Sequence, residues 1–170
     1  MRTFKTKRLT LRKYREEDRE QFFALFMDEA VMKRVGDGTV SLAKAESIFS
    51  RIMKDTDGEK RIMLAICEKS NFIGNAGIYT RSPKTVDREI GFVLKRSSWG
   101  RGYATEVGSE LIRIGFEILE LPVLYATVDC DHFASINVLK KIGMVFDEYE
   151  FDDQGKYSRF VVFKRRAQDL

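Results

Sequence analysis

The sequence predicts an α/β fold with a mixed sheet, and three observations carry that prediction. Short β-branched and aromatic runs alternate with longer stretches of helical period. The segment from Arg88 to Val128 has the strand, helix, strand order of a parallel crossover. Two further pairs of runs are joined by short polar turns, as in antiparallel hairpins. With 170 residues, 44% hydrophobic and 33% charged, and with two prolines and no low-complexity tract, residues 1–170 read as one soluble domain.

The elements follow in order. Arg8-Leu9-Thr10-Leu11-Arg12 alternates like a strand. Glu16-Glu17-Asp18 places acids in the first turn of a helix whose apolar face is Phe22, Phe23, Leu25 and Phe26. A second helix runs from Ser41 to Lys54. Ile62 to Cys67 and Phe72 to Thr80 form a hairpin turning at Lys69-Ser70-Asn71. After a loop around Pro83, Arg88 to Leu94 is the next strand. Tyr103, Val107, Leu111, Ile114 and Ile118 then recur on one helical face until Leu121-Pro122 stops the pattern before the strand Val123 to Val128. A short helix from Ala134 to Ile142, closed by Gly143, precedes a last hairpin turning at Asp152-Asp153-Gln154-Gly155.

Composition excludes several functions. No apolar run follows Met1-Arg2-Thr3-Phe4-Lys5, and none reaches spanning length, so neither a signal nor a membrane segment is expected. Cys67 and Cys130 lie far apart without metal-ligand spacing, which predicts no disulfide framework, no metal site and a reducing, cytoplasmic home. Lys and Arg number 30 against 26 acids, a net +4 spread through the chain, so no nucleic-acid partner is called for. Lys164-Arg165-Arg166 reads as a solvated tail.

Chemistry concentrates in Trp99-Gly100-Arg101-Gly102-Tyr103-Ala104-Thr105-Glu106, where small residues join a strand exit to a helix start. The first amides of a helix lack internal partners and sit at the positive end of its dipole, so they suit an anion. Gly100 and Gly102 let a pyrophosphate approach, and Arg101 adds a cation. The spacing is not that of a dinucleotide fingerprint, and the Lys-Ser/Thr ending of a nucleoside triphosphatase loop is missing.

This stretch resembles the acetyl-CoA loop of the GNAT acetyltransferases, Q/R-x-x-G-x-G/A, with Gly102-Tyr103-Ala104 matching its second half and Trp99 standing where Gln or Arg is usual. The Trp-Gly-Lys/Arg-Gly-Tyr-Ala-Thr-Glu form after an Ile-Gly-aromatic strand resembles the RimJ/RimL-type branch. Thr6 to Arg12 with Glu16-Glu17-Asp18 is similar to that branch's opening, and Ala134-Ser135-Ile136 with Leu139 to Met144 to its late helix. The resemblance implies a single GNAT-like domain whose mostly antiparallel sheet has about seven strands and splays at the acetyl-CoA site. It further implies acetyl-CoA as co-substrate, no metal, an amine acceptor and room for a homodimer.

Residue by residue, the resemblance sets the pantetheine arm along Phe92, Val93 and Leu94 and the pyrophosphate on the amides from Gly100 through Arg101, Gly102, Tyr103 and Ala104 to Thr105. Glu89 becomes the base, acting through water, and Val93 or Leu94 the amide donor to the thioester oxygen. Leu139 occupies the place of the tyrosine that often protonates the leaving thiolate, and Ser135, one turn earlier, takes that part. His132 stands near the pantetheine where the branch often has Asn. An acid on a strand is also an ordinary surface charge, and a serine at a helix start is also an ordinary cap. Both alternatives stay open in the sequence. The acceptor implied is a protein N-terminal α-amine, with a small-molecule amine or a catalytically silent acyl-CoA sensor as alternatives. Its choice falls to Gln21 to Asp55, Arg81 to Asp87 and the final hairpin, with Glu46, Asp55 and Asp57 available to a cation.

Overall fold

The computed structural model describes residues 3–36, 38–54, 61–80, 87–152 and 155–164. Among the described residues five α-helices and eight strands follow one another as β1 (Phe4–Lys5), β2 (Leu9–Arg12), α1 (Arg19–Met27), α2 (Glu29–Met32), α3 (Leu42–Lys54), β3 (Ile62–Glu68), β4 (Asn71–Tyr79), β5 (Glu89–Leu94), α4 (Tyr103–Arg113), β6 (Val123–Asp129), α5 (Phe133–Lys141), β7 (Val145–Asp152) and β8 (Gly155–Phe163). One sheet holds every strand in the order β1-β2-β3-β4-β5-β6-β8-β7. All neighbours are antiparallel except β5 and β6, whose parallel pairing follows from the α4 crossover. The strand beyond the expected seven is β1, which pairs only Phe4 with Leu11 and Lys5 with Thr10 and is too short to show alternation. α2 was not foreseen either; it forms because Asp28 caps it, accepting the Val31 N–H at 3.2 Å.

Each sheet face carries its own core. On one, α4 buries Tyr103, Val107 and Leu111, with Ile114 just beyond its end, against Ile78, Ile90, Leu124 and Ala126. These α4 positions are the face read from the sequence, and burying each aliphatic stabilises by ~1.5–3 kcal/mol. Beyond Arg113 the helix widens into a π turn, Ile114–Ile118, where the Leu119 N–H reaches the Ile114 carbonyl at 3.0 Å. Opposite, Phe22, Leu25, Phe49 and Ile52 of α1 and α3 pack with Tyr14, which meets Phe22 and Phe49 edge-on at 5.5 and 5.9 Å between ring centroids. The buried Tyr14 hydroxyl donates to Asn75 Oδ1 at 2.7 Å, tying this core to β4.

Asp18 has a larger role than a first-turn acid. It is buried at 3% exposure, accepts a two-pronged bond from the Arg12 guanidinium at 2.7 and 2.8 Å, and accepts the Arg15 N–H at 2.8 Å. Among the described residues no helix is long and apolar enough to cross a membrane. Pro83 and most of its loop, Asp55, Asp57, Asp153, Gln154, Arg165 and Arg166 lie outside the described residues.

Candidate active site

The parallel neighbours β5 and β6 share one register pair, Glu89 with Tyr125, next to the bond from the Tyr125 N–H to the Arg88 carbonyl at 2.9 Å. Beyond it β5 stays in register with β4 as far as Leu94 opposite Gly74. The sheet therefore opens between β5 and β6 toward their C-terminal ends. The Lys95 N–H bonds to the Ile73 carbonyl at 2.8 Å, which fixes the ladder's alternation: Glu89, Gly91 and Val93 exchange bonds with β4, while the backbone of Phe92 and Leu94 turns toward the opening. Of the two amides read as donors to a thioester oxygen, Val93's is thus committed to Asn75 of β4, and Leu94's faces away from β4. The Leu94 carbonyl accepts the Trp99 indole N–H at 2.8 Å, so the tryptophan that replaces Gln or Arg closes the end of the strand.

The loop that follows has the shape of an anion cradle. Gly100 and Gly102 take left-handed φ values of +70° and +76°, and Gly102 is the residue before α4. The first helical bond joins the Glu106 N–H to the Gly102 carbonyl at 3.2 Å, so the amides of Tyr103, Ala104 and Thr105 lie ahead of it. Side chains brace this cradle. Glu106 accepts from the Arg8 backbone N–H and Nε, each at 2.8 Å, and from the Thr6 hydroxyl. Arg8 also donates to the Arg101 carbonyl at 2.8 Å. The Arg101 side chain is paired through both terminal nitrogens with Glu68 at 3.0 and 2.8 Å, and the Tyr103 hydroxyl donates to the same carboxylate. The Tyr103 ring lies between the Arg8 and Arg101 guanidiniums, 4.5 and 4.6 Å from its centroid. The Arg101 charge, read from the sequence as a cation for the pyrophosphate, is thus paired with Glu68. The bracing residues Thr6, Arg8 and Glu68 escaped the sequence reading because they lie far from the loop along the chain.

These braces set the acid sensitivity of the fold. Burial alone would raise the Glu106 carboxyl, but the bonds from Thr6 and Arg8 outweigh it and hold it below its ordinary value; Asp18 is likewise raised by burial and lowered further by Arg12 and Arg15. A carboxyl lowered by folding stabilises above its unfolded pKa and loses that contribution as pH falls through the folded value. The melting temperature is therefore expected to hold level above about pH 5 and to drop below about pH 4. Glu106→Gln and Asp18→Asn should each cost about 2 kcal/mol near neutrality and flatten the acid limb. Melting curves between those pH values check both points.

Glu89 is buried at 8% exposure and accepts from the Thr127 hydroxyl of β6 at 3.2 Å, so it is not a surface charge. Tyr79 of β4 and Tyr125 of β6 stand in register on either side of it. Further along the same side of β6, Asp129 with Lys33, Arg34, Gly36, Asp131, Gly155 and Tyr157 lines a cleft of about 340 Å³. Arg34 spans that cleft, pairing with both carboxylate oxygens of Asp131 and with Asp129 at 3.6 Å. His132 precedes α5; its imidazole is held below its ordinary pKa by burial and by Arg34. His132, not Ser135, holds the N-cap position of α5 and its side chain makes no cap bond, while Leu139 is a core residue at 3% exposure. Glu46, read as available to a cation, is bonded to Arg19 and Ser50. No cluster of three metal-ligating side chains occurs among the described residues.

An open β5–β6 pair thus runs into a left-handed glycine loop and a helix start. The sequence pattern of the acetyltransferase (GNAT) domain matches residues 8–145, and the chain belongs to that family. It is 30% identical over 141 residues to the uncharacterized N-acetyltransferase YoaA of Bacillus subtilis, covering 81% of this chain and 80% of that one. The fold is shared with the spermidine N-acetyltransferase of Vibrio cholerae in complex with CoA and spermine, at a TM-score of 0.78 and 18% identity over 92% and 95% of the two chains. It is shared equally with RimL, a ribosomal L7/L12 α-N-protein acetyltransferase in complex with coenzyme A, at a TM-score of 0.79 and 14% identity over 95% and 98%. The protein is an N-acetyltransferase.

Proposed function

We propose that this protein transfers the acetyl group of acetyl-CoA to a protein or peptide N-terminal α-amine, by direct attack within a ternary complex. The observation that carries the proposal is the opening between β5 and β6 that runs into the Gly100–Gly102 cradle. The residues fit the co-substrate: the Phe92 and Leu94 backbone offers an edge for the amides of a pantetheine arm, and the α4 amides offer donors for pyrophosphate. Acetyl-CoA supplies an activated carbonyl and a thiolate leaving group.

The protein's own groups then do three things. Glu89 takes a proton from the incoming ammonium through a water, freeing the lone pair that forms the new C–N bond. The Leu94 amide donates to the carbonyl oxygen as negative charge gathers on it. Ser135, in the first turn of α5, passes to the sulfur, as the C–S bond breaks, the second proton that the attacking nitrogen sheds on becoming an amide, so that its own hydroxyl is restored, with His132 beside the arm. Ser135→Ala should lower kcat about tenfold and leave the acetyl-CoA KM unchanged, as steady-state rates would reveal.

The RimJ/RimL-like run Trp99 to Glu106 supports the α-amine acceptor. A small cationic amine is the second reading, supported by the acids Asp87, Asp129 and Asp131 on the Glu89 side and by the likeness to a spermidine acetyltransferase. Thiol release measured with free-N-terminus peptides, spermidine, single amino acids and an aminoglycoside separates the two. Turnover confined to the peptides upholds the first, turnover confined to spermidine moves the acceptor to the second, and silence on every amine with acetyl-CoA bound retires both.

A further inference from the structure

The shape of the loop ahead of α4 turns on one peptide unit, the one joining Arg101 to Gly102. Its carbonyl accepts from Arg8 Nη1 at 2.8 Å. In a trans peptide the N–H points opposite to the carbonyl, so the Gly102 N–H is turned away from Arg8. That N–H has no partner among the described residues, and it directly precedes the amides of Tyr103, Ala104 and Thr105, which lie ahead of the first helical bond. With glycine at 102 this unit can turn over at little cost, because φ of either sign is open to it. The bond from Arg8 holds it in one sense. Arg8 is itself fixed from two sides: Nε and Nη2 each lie 2.8 Å from Glu106 Oε2, and the guanidinium lies 4.5 Å from the centroid of the Tyr103 ring.

Net charge cannot substitute for that orientation. Arg8 is matched by Glu106 and Arg101 by Glu68, so this network sums to zero, and a phosphate at the loop is drawn by oriented N–H groups rather than by a surplus of cations. The direction of each amide then decides how firmly the phosphate is held. Resting on the acetyl-CoA reading above, we propose that Arg8 is a positioning residue for the acyl donor. It fixes the Arg101–Gly102 peptide so that the Gly102 N–H joins the first α4 amides on the pyrophosphate. Arg8 acts from behind the loop and touches no phosphate. The consequence is donor selectivity: a thioester that carries a pyrophosphate is preferred over the same thioester without one.

The test uses donors that share one thioester: acetyl-CoA, its 3′-dephospho form, which keeps the pyrophosphate, and S-acetylpantetheine, which has no phosphate. Arg8→Gln removes the guanidinium, and Arg8→Lys keeps the charge without the planar fork that reaches Glu106 and the Arg101 carbonyl together. Both variants should raise KM about tenfold for the two pyrophosphate donors, a loss of ~1.4 kcal/mol, with kcat changed less than about twofold. For S-acetylpantetheine kcat/KM should stay within about twofold of the parent value. Equal losses on all the donors would make Arg8 a support of the fold alone. Parent-like KM values in Arg8→Lys would make it a charge acting on the phosphate directly, and a loss confined to acetyl-CoA would make it a contact of the 3′-phosphate. Each of these results, like an unchanged acetyl-CoA KM in Arg8→Gln, overturns the assignment of Arg8. A parent protein that uses acetyl-CoA no better than S-acetylpantetheine overturns instead the pyrophosphate cradle on which the assignment rests. Should Arg8→Gln not fold, Arg8→Lys decides by itself.

Discussion

Glu89→Gln is expected to lower kcat by about 100- to 1000-fold while leaving acetyl-CoA binding unchanged. The amide has the size of the carboxyl and can still accept from the Thr127 hydroxyl at 3.2 Å. On the proposed mechanism, what disappears is acceptance of a proton from the incoming ammonium, which an amide cannot supply. The loss must then shrink as pH rises, because free amine becomes abundant near its own pKa of about 8 and needs no base. A pH series of kcat/KM for parent and variant checks this. A constant ratio across pH would mean that Glu89 supports the site without moving a proton.

Gly102→Val is the second change expected to be severe, and it acts on the other substrate. Position 102 holds φ at +76°, where a β-branched residue is strained by about 1–3 kcal/mol. Relaxing that strain turns the first α4 amides away from a common point, so the phosphate bonds proposed for them weaken together. The acetyl-CoA KM should rise about 100-fold with kcat changed little, and Gly102→Ala should do the same to a smaller degree. Initial rates at varied acetyl-CoA give both numbers.

Much of this architecture could be read along the chain because it depends on local periodicity. The α4 face, the β3–β4 hairpin and the strand, helix, strand crossover are set by residues close in sequence, and all appear as expected. The glycine loop was equally legible, since a left-handed backbone leaves its mark in residue type. Short elements were not: two residues of β1 show no alternation, and α2 rests on the single cap Asp28. The sharpest loss was at the site's supports. Arg8 meets Glu106, Arg101 meets Glu68, and Tyr79 covers Gly91 across long separations that no spacing encodes. Glu89 could be picked out by resemblance, yet its burial and its bond with Thr127 depend on β6 arriving beside β5 by way of α4.

The most direct measurement is a calorimetric titration of acetyl-CoA into the protein, with amine acetylation followed by thiol release in the same buffer. The structure predicts one saturable site per chain, lost in Gly102→Val, and thiol release that requires both acetyl-CoA and an amine. Absence of acetyl-CoA binding by the parent protein, or full binding by Gly102→Val, would contradict the placement of the site between β5 and β6.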